Sequence, residues 1–574
     1  AVKEIERVWV PMSDGTRLSA RIWIPQDAET KPVPAILEYI PYRKRDGTRA
    51  WDDPRHRWWA GHGYAAIRLD IRGTGESEGT ITDEYTPQEQ QDAVEAIAWI
   101  AAQPWCDQNI GVSGSSAGAT TALAAASTGH PALKAFWAQV GGSSIYDDVV
   151  CEGQSIEMER LWLWVAKNIP GLSKSHKEAV MRRSGASEAD MAAAAASAAA
   201  CYERLDAASK AEPPFIGSPD WMVLPLTGHP DFTAWQPFLD DIITHPAPDD
   251  FRAAHDFRQD INIPGFHATT WYDIFQTSVM RAFTEIQARA GNQKLWIGPN
   301  HHYFIYETKC WSRDPYFEWF GHWLKGAASG LMNEPPLYYS PRAWIEDTTT
   351  YRPDDWRHAE HWPPSGAAVR RLYLQGDGAL GDAPAGDTRT YTYDPRHPVP
   401  TLGGRNMLIP AGQRDQRPAQ ALPDYGLMYP GAILKQDLTL AGPASVVLQV
   451  SSNCPDTDFI ARLVEVTPDG RALLLMDGVT RALYRAPDAG PQPLASGQVY
   501  ELRIDLGDIH HTLGAGSRLQ VDVTSSNFPR RARNTNSGNP VLAADADSDI
   551  RVAINKVHHG AATPSYLEYY ALGD

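Results

Sequence analysis

The hydrophobic and polar positions of the first 140 residues follow the pattern of an α/β sheet. β-prone apolar runs occupy residues 33–40, 64–71 and 133–140, and residues 87–102 carry apolar side chains at helical spacing. Residues 5–24 alternate around a Ser-Asp-Gly turn signal, as the two strands of a hairpin do. Strands that alternate with amphipathic helices predict a mostly parallel sheet with helices on its faces. We therefore expect the first part of an α/β domain over residues 1–144.

The alternation of predicted strands and helices stops at residue 145 and returns near residue 251. Residues 145–250 are helix-prone and irregular, and they include an alanine run at 192–200. An insertion of this kind predicts a helical cap over a site. Over residues 251–333 two β-prone runs return, and a helix is predicted to follow Asp314 and Pro315, which carry N-cap and first-turn signals.

The last 241 residues have a different pattern. From 334 to 574, short β-prone runs are separated by Gly, Pro, Asp and Asn. Many short strands with frequent turn signals are typical of a β-sandwich or jelly roll. The predicted architecture is thus an α/β domain with an inserted cap, followed by an all-β domain.

Charge and cysteine usage narrow the function classes. The 574 residues include 70 acidic and 52 basic side chains, a net charge of −18, which argues against nucleic acid or an anionic membrane as a partner. No apolar run reaches the length of about 20 residues that a membrane span needs. The five cysteines are far apart and form no C-x-x-C pair, so neither a disulfide framework nor a metal site is expected. We expect a cytoplasmic protein without a cofactor; a cleaved signal peptide and a homo-oligomer stay open.

One stretch carries candidate chemistry. Residues 114–118 read G-S-S-A-G and fit the G-x-S-x-G pattern in a single frame, between a β-prone run and a helix-favouring run. Such a turn projects the serine from its tip, and the following N–H lies at a helix N-terminus, where it can donate to an oxyanion. Ser116 is the predicted nucleophile and Ala117 the oxyanion donor. A Gly/Ser-rich loop is the alternative interpretation of these five residues.

A serine nucleophile needs a base and a carboxylate that orients it. After the cap, Asp273 closes the first β-prone run and His301 and His302 close the second. The order Ser, Asp, His is that of α/β-hydrolases. Spacing alone leaves open which of the two histidines is the base.

Several longer stretches of the sequence resemble those of a known family. They include M-S-D-G-T-R-L, P-Y-R-K-R-D, D-I-R-G-T-G-E-S-E-G, Q-P-W-C-D-Q-N-I-G, G-P-N-H-H and S-S-N-F-P-R-R-A-R-N-T-N-S-G. Over nearly its full length the chain resembles the cocaine esterase and X-Pro dipeptidyl-peptidase type of serine hydrolases. The resemblance implies an α/β-hydrolase domain, a helical cap and a C-terminal jelly roll. It implies Ser116, Asp273 and His302 as the triad, and the Tyr42 hydroxyl beside the Ala117 N–H as the oxyanion hole.

The sequence departs from that family at one position and leaves the substrate open. Relatives commonly carry an aromatic residue where Ala117 stands, so a catalytically silent ligand- or carbohydrate-binding protein is an alternative. Ile274 and Gln276 occupy positions where relatives that act on amino acid esters carry carboxylates. Residues that could recognise the substrate are Phe275, which matches an acyl-pocket aromatic of the family, and Trp162 and Trp164 of the cap, for which a buried helix stripe is the alternative. Asp147, Asp148 and Glu152 could bind a cationic group, although a solvated acidic loop is the favoured interpretation of these three.

From these observations we predict a serine hydrolase of carboxylic esters that works through an acyl-enzyme. An apolar or aromatic acyl group is favoured. An X-Pro dipeptidyl aminopeptidase, an amidase or an acyltransferase would use the same triad.

Overall fold

The computed structural model describes residues 1–146, 150–211, 218–305, 314–346, 355–407 and 409–573. Its helices are α1 (Arg49–Gly61), α2 (Pro87–Ala101), α3 (Ala117–Ser127), α4 (Met158–Asn168), α5 (Lys174–Ser184), α6 (Glu188–Lys210), α7 (Phe238–Thr244), α8 (Asp250–Ala253), α9 (Gln276–Ala290), α10 (Pro315–Lys325) and α11 (Arg417–Gln420). Among the described residues, no helix has both the length and the apolar character needed to cross a bilayer.

A ten-stranded sheet forms the centre of the α/β domain, with the strand order β1-β2-β4-β3-β5-β6-β7-β8-β9-β10. The strands are β1 (Val2–Pro11), β2 (Arg17–Pro25), β3 (Val33–Ile40), β4 (Ala65–Asp70), β5 (Cys106–Ser115), β6 (Leu133–Gln139), β7 (Gly265–Tyr272), β8 (Gln293–His301), β9 (Leu337–Tyr339) and β10 (Arg357–Ala359). β1 and β2 form the predicted hairpin, and the pairings from β4 through β9 are parallel. The sheet continues past residue 333, the predicted end of this domain, because β9 pairs with β8 before the chain crosses over.

Helices cover both faces of this sheet, as the strand pattern predicts. Ile97 of α2 and Leu123 of α3 are buried on one face. On the other face, Trp59 of α1 and Trp319 of α10 are buried against the strands. Helix α10 begins as predicted, since the Asp314 side chain accepts a hydrogen bond from the Phe317 N–H at 3.1 Å.

The C-terminal domain consists of two antiparallel sheets around one apolar core. Its strands are β11 (Ala367–Leu374), β12 (Leu380–Gly381), β13 (Arg389–Tyr393), β14 (Leu427–Pro430), β15 (Leu438–Ser452), β16 (Asp458–Val466), β17 (Ala472–Arg481), β18 (Tyr500–Leu513), β19 (Arg518–Thr524), β20 (Ala553–His558) and β21 (Tyr566–Leu572). One sheet has the order β12-β11-β21-β15-β20-β13 with β18 also paired to β15, and the other has the order β14-β19-β16-β17. Both the α/β domain and the all-β domain predicted from the sequence are therefore confirmed.

The C-terminal domain also packs against the ends of strands in the α/β domain. Phe275 and Val279 belong to the same buried apolar cluster as side chains of β15 and β16. The Tyr272 hydroxyl donates to the carbonyl of Leu474 at 3.1 Å, and the Gln276 amide donates to the carbonyl of Asp508 at 2.8 Å. The loop that follows β7 is therefore held by residues from both domains.

The cap is joined to the C-terminal domain through a partly buried carboxylate. Glu152 is contacted by the guanidinium groups of Arg405 at 3.0 Å, Arg530 at 3.3 Å and Arg531 at 2.6 Å. Burial alone would raise the pKa of Glu152, but these positive charges outweigh it and hold the pKa below its ordinary value. Glu152 is therefore a structural ion-pair partner, and its predicted role in binding a substrate cation is wrong. Asp147 and Asp148, named with it, lie outside the described residues.

Candidate active site

Ser116 lies between β5 and α3, at the tip of a sharp turn. Its φ of 58° and ψ of −126° are strained values for a residue with a side chain. The turn is possible because Gly114 lacks a Cβ atom, which would lie 1.9 Å from the carbonyl oxygen of Gly118. This is the geometry that the G-x-S-x-G pattern predicts for a nucleophile elbow.

Two hydrogen-bond donors converge beside Ser116. The Ala117 N–H, at the first residue of α3, donates to the hydroxyl of Tyr42 at 2.9 Å. That hydroxyl can in turn donate to the Ser115 carbonyl at 3.3 Å. Burial raises the pKa of Tyr42 above its ordinary value, so the phenol keeps its proton. If the Tyr42 hydroxyl rotates about its C–O bond, its proton and the Ala117 N–H can both donate to one oxyanion.

Asp273 and His302 follow neighbouring parallel strands, β7 and β8, at the same edge of the sheet. His302 Nδ1 lies 2.7 Å from Asp273 Oδ1, and the Thr269 hydroxyl donates to Asp273 Oδ2 at 2.8 Å. Both partners are buried, with Asp273 0% and His302 2% exposed. With Nδ1–H directed at the carboxylate, Nε2 is left as the basic nitrogen of His302.

The other histidine of the pair, His301, has different neighbours. The His301 ring lies 6.1 Å from the Trp344 ring and 6.3 Å from the Tyr303 ring, measured between centroids. Asp273 is thus hydrogen-bonded to His302, and the His301 side chain points towards Trp344. Spacing in the sequence left this choice open.

Two cavities meet at Ser116. The outer cavity, of about 560 Å³, is lined by Ser116, Tyr42, His302 and Trp51 among others. The inner cavity is narrow, about 60 Å³, and extends from Ser116 and Ala117 beneath the cap. Its walls are largely apolar, with side chains from Ile145, Val150, Leu161, Ile242, Ile274 and Phe275. The serine therefore separates an open space from a confined apolar one.

The predicted pocket residues divide between these cavities and the cap interior. Phe275 lines the inner cavity with its ring 5.9 Å from that of His302, and Trp164 lines both cavities. Trp162 is fully buried and packs edge-on against His229 at 5.6 Å. Arg160, Leu161 and Trp164 of α4 line the inner cavity. Trp162 is not on its wall and lies about 200° around the helix from Arg160. The prediction that Trp162 lines the pocket is wrong.

Several residues that line the two cavities escaped the sequence analysis, among them Met407, Glu84 and Arg160. Met407 of the C-terminal domain lines both cavities, and no local pattern marks it. Glu84 and Arg160 line the inner cavity. The spacing of Arg160 and Trp164, four residues apart in a largely apolar helix, is the signal that could have identified the arginine.

Glu84 carries an unusual carboxyl group for an apolar cavity. The Trp164 indole N–H lies 3.0 and 3.1 Å from its two oxygens. Burial raises the pKa of Glu84 to about 7, and the nearby Asp83 adds to the effect. Asp83 itself contacts His255 Nε2 at 3.0 Å. Burial lowers the pKa of His255, but its hydrogen bond to Asp83 and the charge of that carboxylate outweigh burial and raise it overall.

The raised pKa of Glu84 predicts a pH-dependent response to the substitution Glu84→Gln. Below pH 7 the carboxyl is mostly neutral, and the variant should hydrolyse an apolar ester as the parent does. Above pH 7 the parent acquires a negative charge in the wall of the inner cavity, whereas the variant does not. We expect the variant-to-parent ratio of kcat/KM to rise about 3- to 10-fold between pH 6 and pH 8.5. Steady-state kinetics with an ester of a short apolar acid measure this ratio.

Taking the ratio removes the pH dependence that parent and variant have in common. The other charged side chains along the inner cavity, Asp83, His255 and Arg160, are present in both proteins. A ratio that stays flat from pH 6 to pH 8.5 would contradict the prediction that the charge of Glu84 changes in this range and slows the reaction.

Comparisons with known proteins address the whole chain. The model of the X-Pro dipeptidyl-peptidase (S15) family matches residues 14–304, and that of the X-Pro dipeptidyl-peptidase C-terminal non-catalytic domain matches residues 331–568. Cocaine esterase from Rhodococcus sp. (strain MB1 Bresler) is 31% identical, over 98% of this chain and 97% of that protein.

Solved structures with the same fold are also found. An aminopeptidase from a marine sediment archaeon, Thaumarchaeota archaeon, has a TM-score of 0.75 at 20% identity and covers 100% of this chain and 96% of its own. An α-amino acid ester hydrolase has a TM-score of 0.75 at 21% identity and covers 99% and 96%. At these identities the two structures establish the shared fold.

Proposed function

The chain belongs to the X-Pro dipeptidyl-peptidase (S15) family and is a serine ester hydrolase, and from this premise we propose that it cleaves carboxylic esters through an acyl-enzyme on Ser116. His302 takes the proton of the Ser116 hydroxyl as that oxygen attacks the acyl carbonyl, and Asp273 orients the imidazole. The observation that carries the proposal is the 2.7 Å contact between His302 and Asp273, with His302 and Ser116 on the wall of one cavity.

The oxyanion of the tetrahedral intermediate would be held by the Tyr42 hydroxyl and the Ala117 N–H. In support, the Tyr42 hydroxyl lies 2.9 Å from the Ala117 nitrogen, and Ala117 directly follows Ser116 in the chain. Ala117 contributes through its backbone, so the small side chain does not remove the donor. In the second half of the cycle, water replaces the alcohol and His302 again transfers the proton.

The position of His302 supports an orientation for the substrate. A base that protonates the leaving alcohol must lie beside it, and His302 lines the outer cavity. The alcohol would therefore occupy the outer cavity and the acyl group the inner one. The apolar walls of the inner cavity favour an apolar acyl chain, and its volume of about 60 Å³ favours a short one.

The test compares substrates of different bond type on the purified protein. We expect aryl and alkyl esters of short acids to be hydrolysed with a kcat/KM at least about 100-fold above that for Ala-Pro 4-nitroanilide, because no carboxylate follows Asp273 to hold a substrate ammonium group. A preference for the anilide would identify an X-Pro aminopeptidase instead. Absence of both ester turnover and labelling by a fluorophosphonate would identify a silent binding protein.

We also propose a cytoplasmic location. Cys106, Cys201 and Cys454 are buried thiols without a disulfide. Thiols in this state are usual in reducing compartments.

A further inference from the structure

Arg160 is a basic residue in the wall of the inner cavity. It lies on α4, is 7% exposed, and lines the cavity with Ser116, Leu161 and Trp164. Burial is the largest influence on Arg160 and lowers its pKa, even though the carboxylates of Glu157 and Glu159 oppose the shift. The surroundings therefore compensate this charge incompletely.

The guanidinium group of Arg160 has an unfilled donor. Its Nη2 atom is buried and, in the part of the chain that the structure describes, donates no hydrogen bond. The neighbouring acids are engaged elsewhere: Glu157 contacts Arg531 at 2.7 Å, and Glu159 accepts from the Ile409 N–H at 3.0 Å. A buried charged donor without an acceptor costs free energy, so a ligand that supplies the acceptor would be bound favourably.

The acidic groups of the same cavity already have described partners. Glu84 accepts from the Trp164 indole, and Asp83 contacts His255. Neither carboxylate accepts a hydrogen bond from the Arg160 Nη2. Because both already have partners, each attracts a cation less strongly than an unpaired carboxylate would. Arg160, Thr120 and Tyr146 each line the inner cavity and have a buried polar atom without a described hydrogen-bond partner, and Arg160 is the charged one of the three.

We propose that Arg160 binds a carboxylate at the far end of the acyl group, so that the enzyme acts on hemiesters of short dicarboxylic acids. This inference rests on the proposed function, since it assigns the acyl chain to the inner cavity. The apolar walls would contact the methylene groups between the scissile carbonyl and the carboxylate. A carboxylate accepts two hydrogen bonds from guanidinium in a geometry that neutral acceptors do not match.

The reaction balances as an ordinary hydrolysis. Ser116 Oγ forms a bond to the acyl carbon as the bond to the alkoxy oxygen breaks, and the alcohol leaves with the proton that His302 took from the serine. Water then displaces Ser116 and releases the dicarboxylic acid. The carboxylate held by Arg160 is unchanged throughout.

The experiment compares two esters of the same chain length and the same alcohol, monoethyl glutarate and ethyl pentanoate. At pH 6, where Glu84 is mostly neutral, we expect the parent to prefer the hemiester by at least about tenfold in kcat/KM. Arg160→Met keeps an unbranched apolar side chain of similar length to the aliphatic part of arginine and removes the guanidinium group with its charge. It should lower kcat/KM for the hemiester about 30-fold or more and leave that for ethyl pentanoate equal or higher.

Two further variants separate recognition from structure. Arg182→Met removes an exposed arginine of the same cap, on α5, and should not change the preference. Arg160→Lys retains the charge and should keep part of the preference, which covers the case in which Arg160→Met does not fold. On the parent alone, glutarate should slow labelling by a fluorophosphonate more than pentanoate does.

The outcomes distinguish this inference from the proposed function. Equal turnover of both esters by the parent, or an equal loss on both in a folded Arg160→Met variant, would overturn the role of Arg160 while leaving the esterase intact. Failure of the parent to hydrolyse or be labelled at all would overturn the proposed function and this inference with it. Turnover of ethyl pentanoate without turnover of the hemiester would overturn the inference alone.

Discussion

Replacing Ser116 with alanine is expected to lower kcat for ester hydrolysis by about 10⁴-fold or more. The substitution removes the oxygen that forms the acyl-enzyme and leaves the oxyanion donors of Tyr42 and Ala117 in place, so only a small residual rate should remain. The variant should also lose all labelling by a fluorophosphonate. The measurements are kcat on a short-chain ester and intact mass after labelling.

A second serine of the same helix provides the matched control. Ser127 lies at the last residue of α3, where its hydroxyl donates to the Ala124 carbonyl at 2.7 Å. Ser127→Ala should label and turn over as the parent does, because this hydroxyl is at the far end of α3 from the turn. Full activity of a homogeneous Ser116→Ala protein would refute the nucleophile assignment.

The second large effect is expected from His302→Gln, with His301→Gln as its neighbour control. Loss of the base should lower kcat by about 10⁴-fold, because the Ser116 hydroxyl is a poor nucleophile unless its proton is taken. His301 contacts the Trp344 ring and has no part in the proposed proton transfer, so His301→Gln should stay close to the parent. Kinetics on one ester and the rate of fluorophosphonate labelling report both effects.

The pair of histidine variants also separates chemistry from folding. The two substitutions change adjacent residues at the end of β8, so a loss caused by disturbed packing should lower the thermal midpoint in both. A large loss of kcat confined to His301→Gln would transfer the role of base to His301 and contradict the assignment made from the 2.7 Å contact of His302 with Asp273.

Features that repeat along the chain or occur at a strand end were predictable from the sequence. Hydrophobic periodicity and turn residues gave the α/β strands and the all-β domain, since each strand buries one or both faces. Ser116 was predictable as the nucleophile from a five-residue pattern in which the sharp turn leaves no room for side chains at the glycines. Asp273 followed from its place after a buried strand.

Choices that depend on contacts between distant parts of the chain were not predictable. His301 and His302 are equivalent in spacing, and only the packing of β7 against β8 brings one of them to Asp273. Trp162 and Trp164 differ by two helical positions, so the orientation of α4 decides which one lines a cavity. Met407 reaches the site from the other domain, and a one-dimensional pattern carries no information about such an approach.

The three arginines that hold Glu152 determine how the enzyme would lose activity on heating. They tie the cap to the C-terminal domain, and the cap forms the roof of the inner cavity. If the cap and the C-terminal domain separated, water would enter the proposed acyl site, whereas Ser116 and the parallel strands beside it would stay in place. We therefore expect the half-life of activity at elevated temperature to follow the rate at which this interface opens, and calorimetric melting of the α/β core to come later.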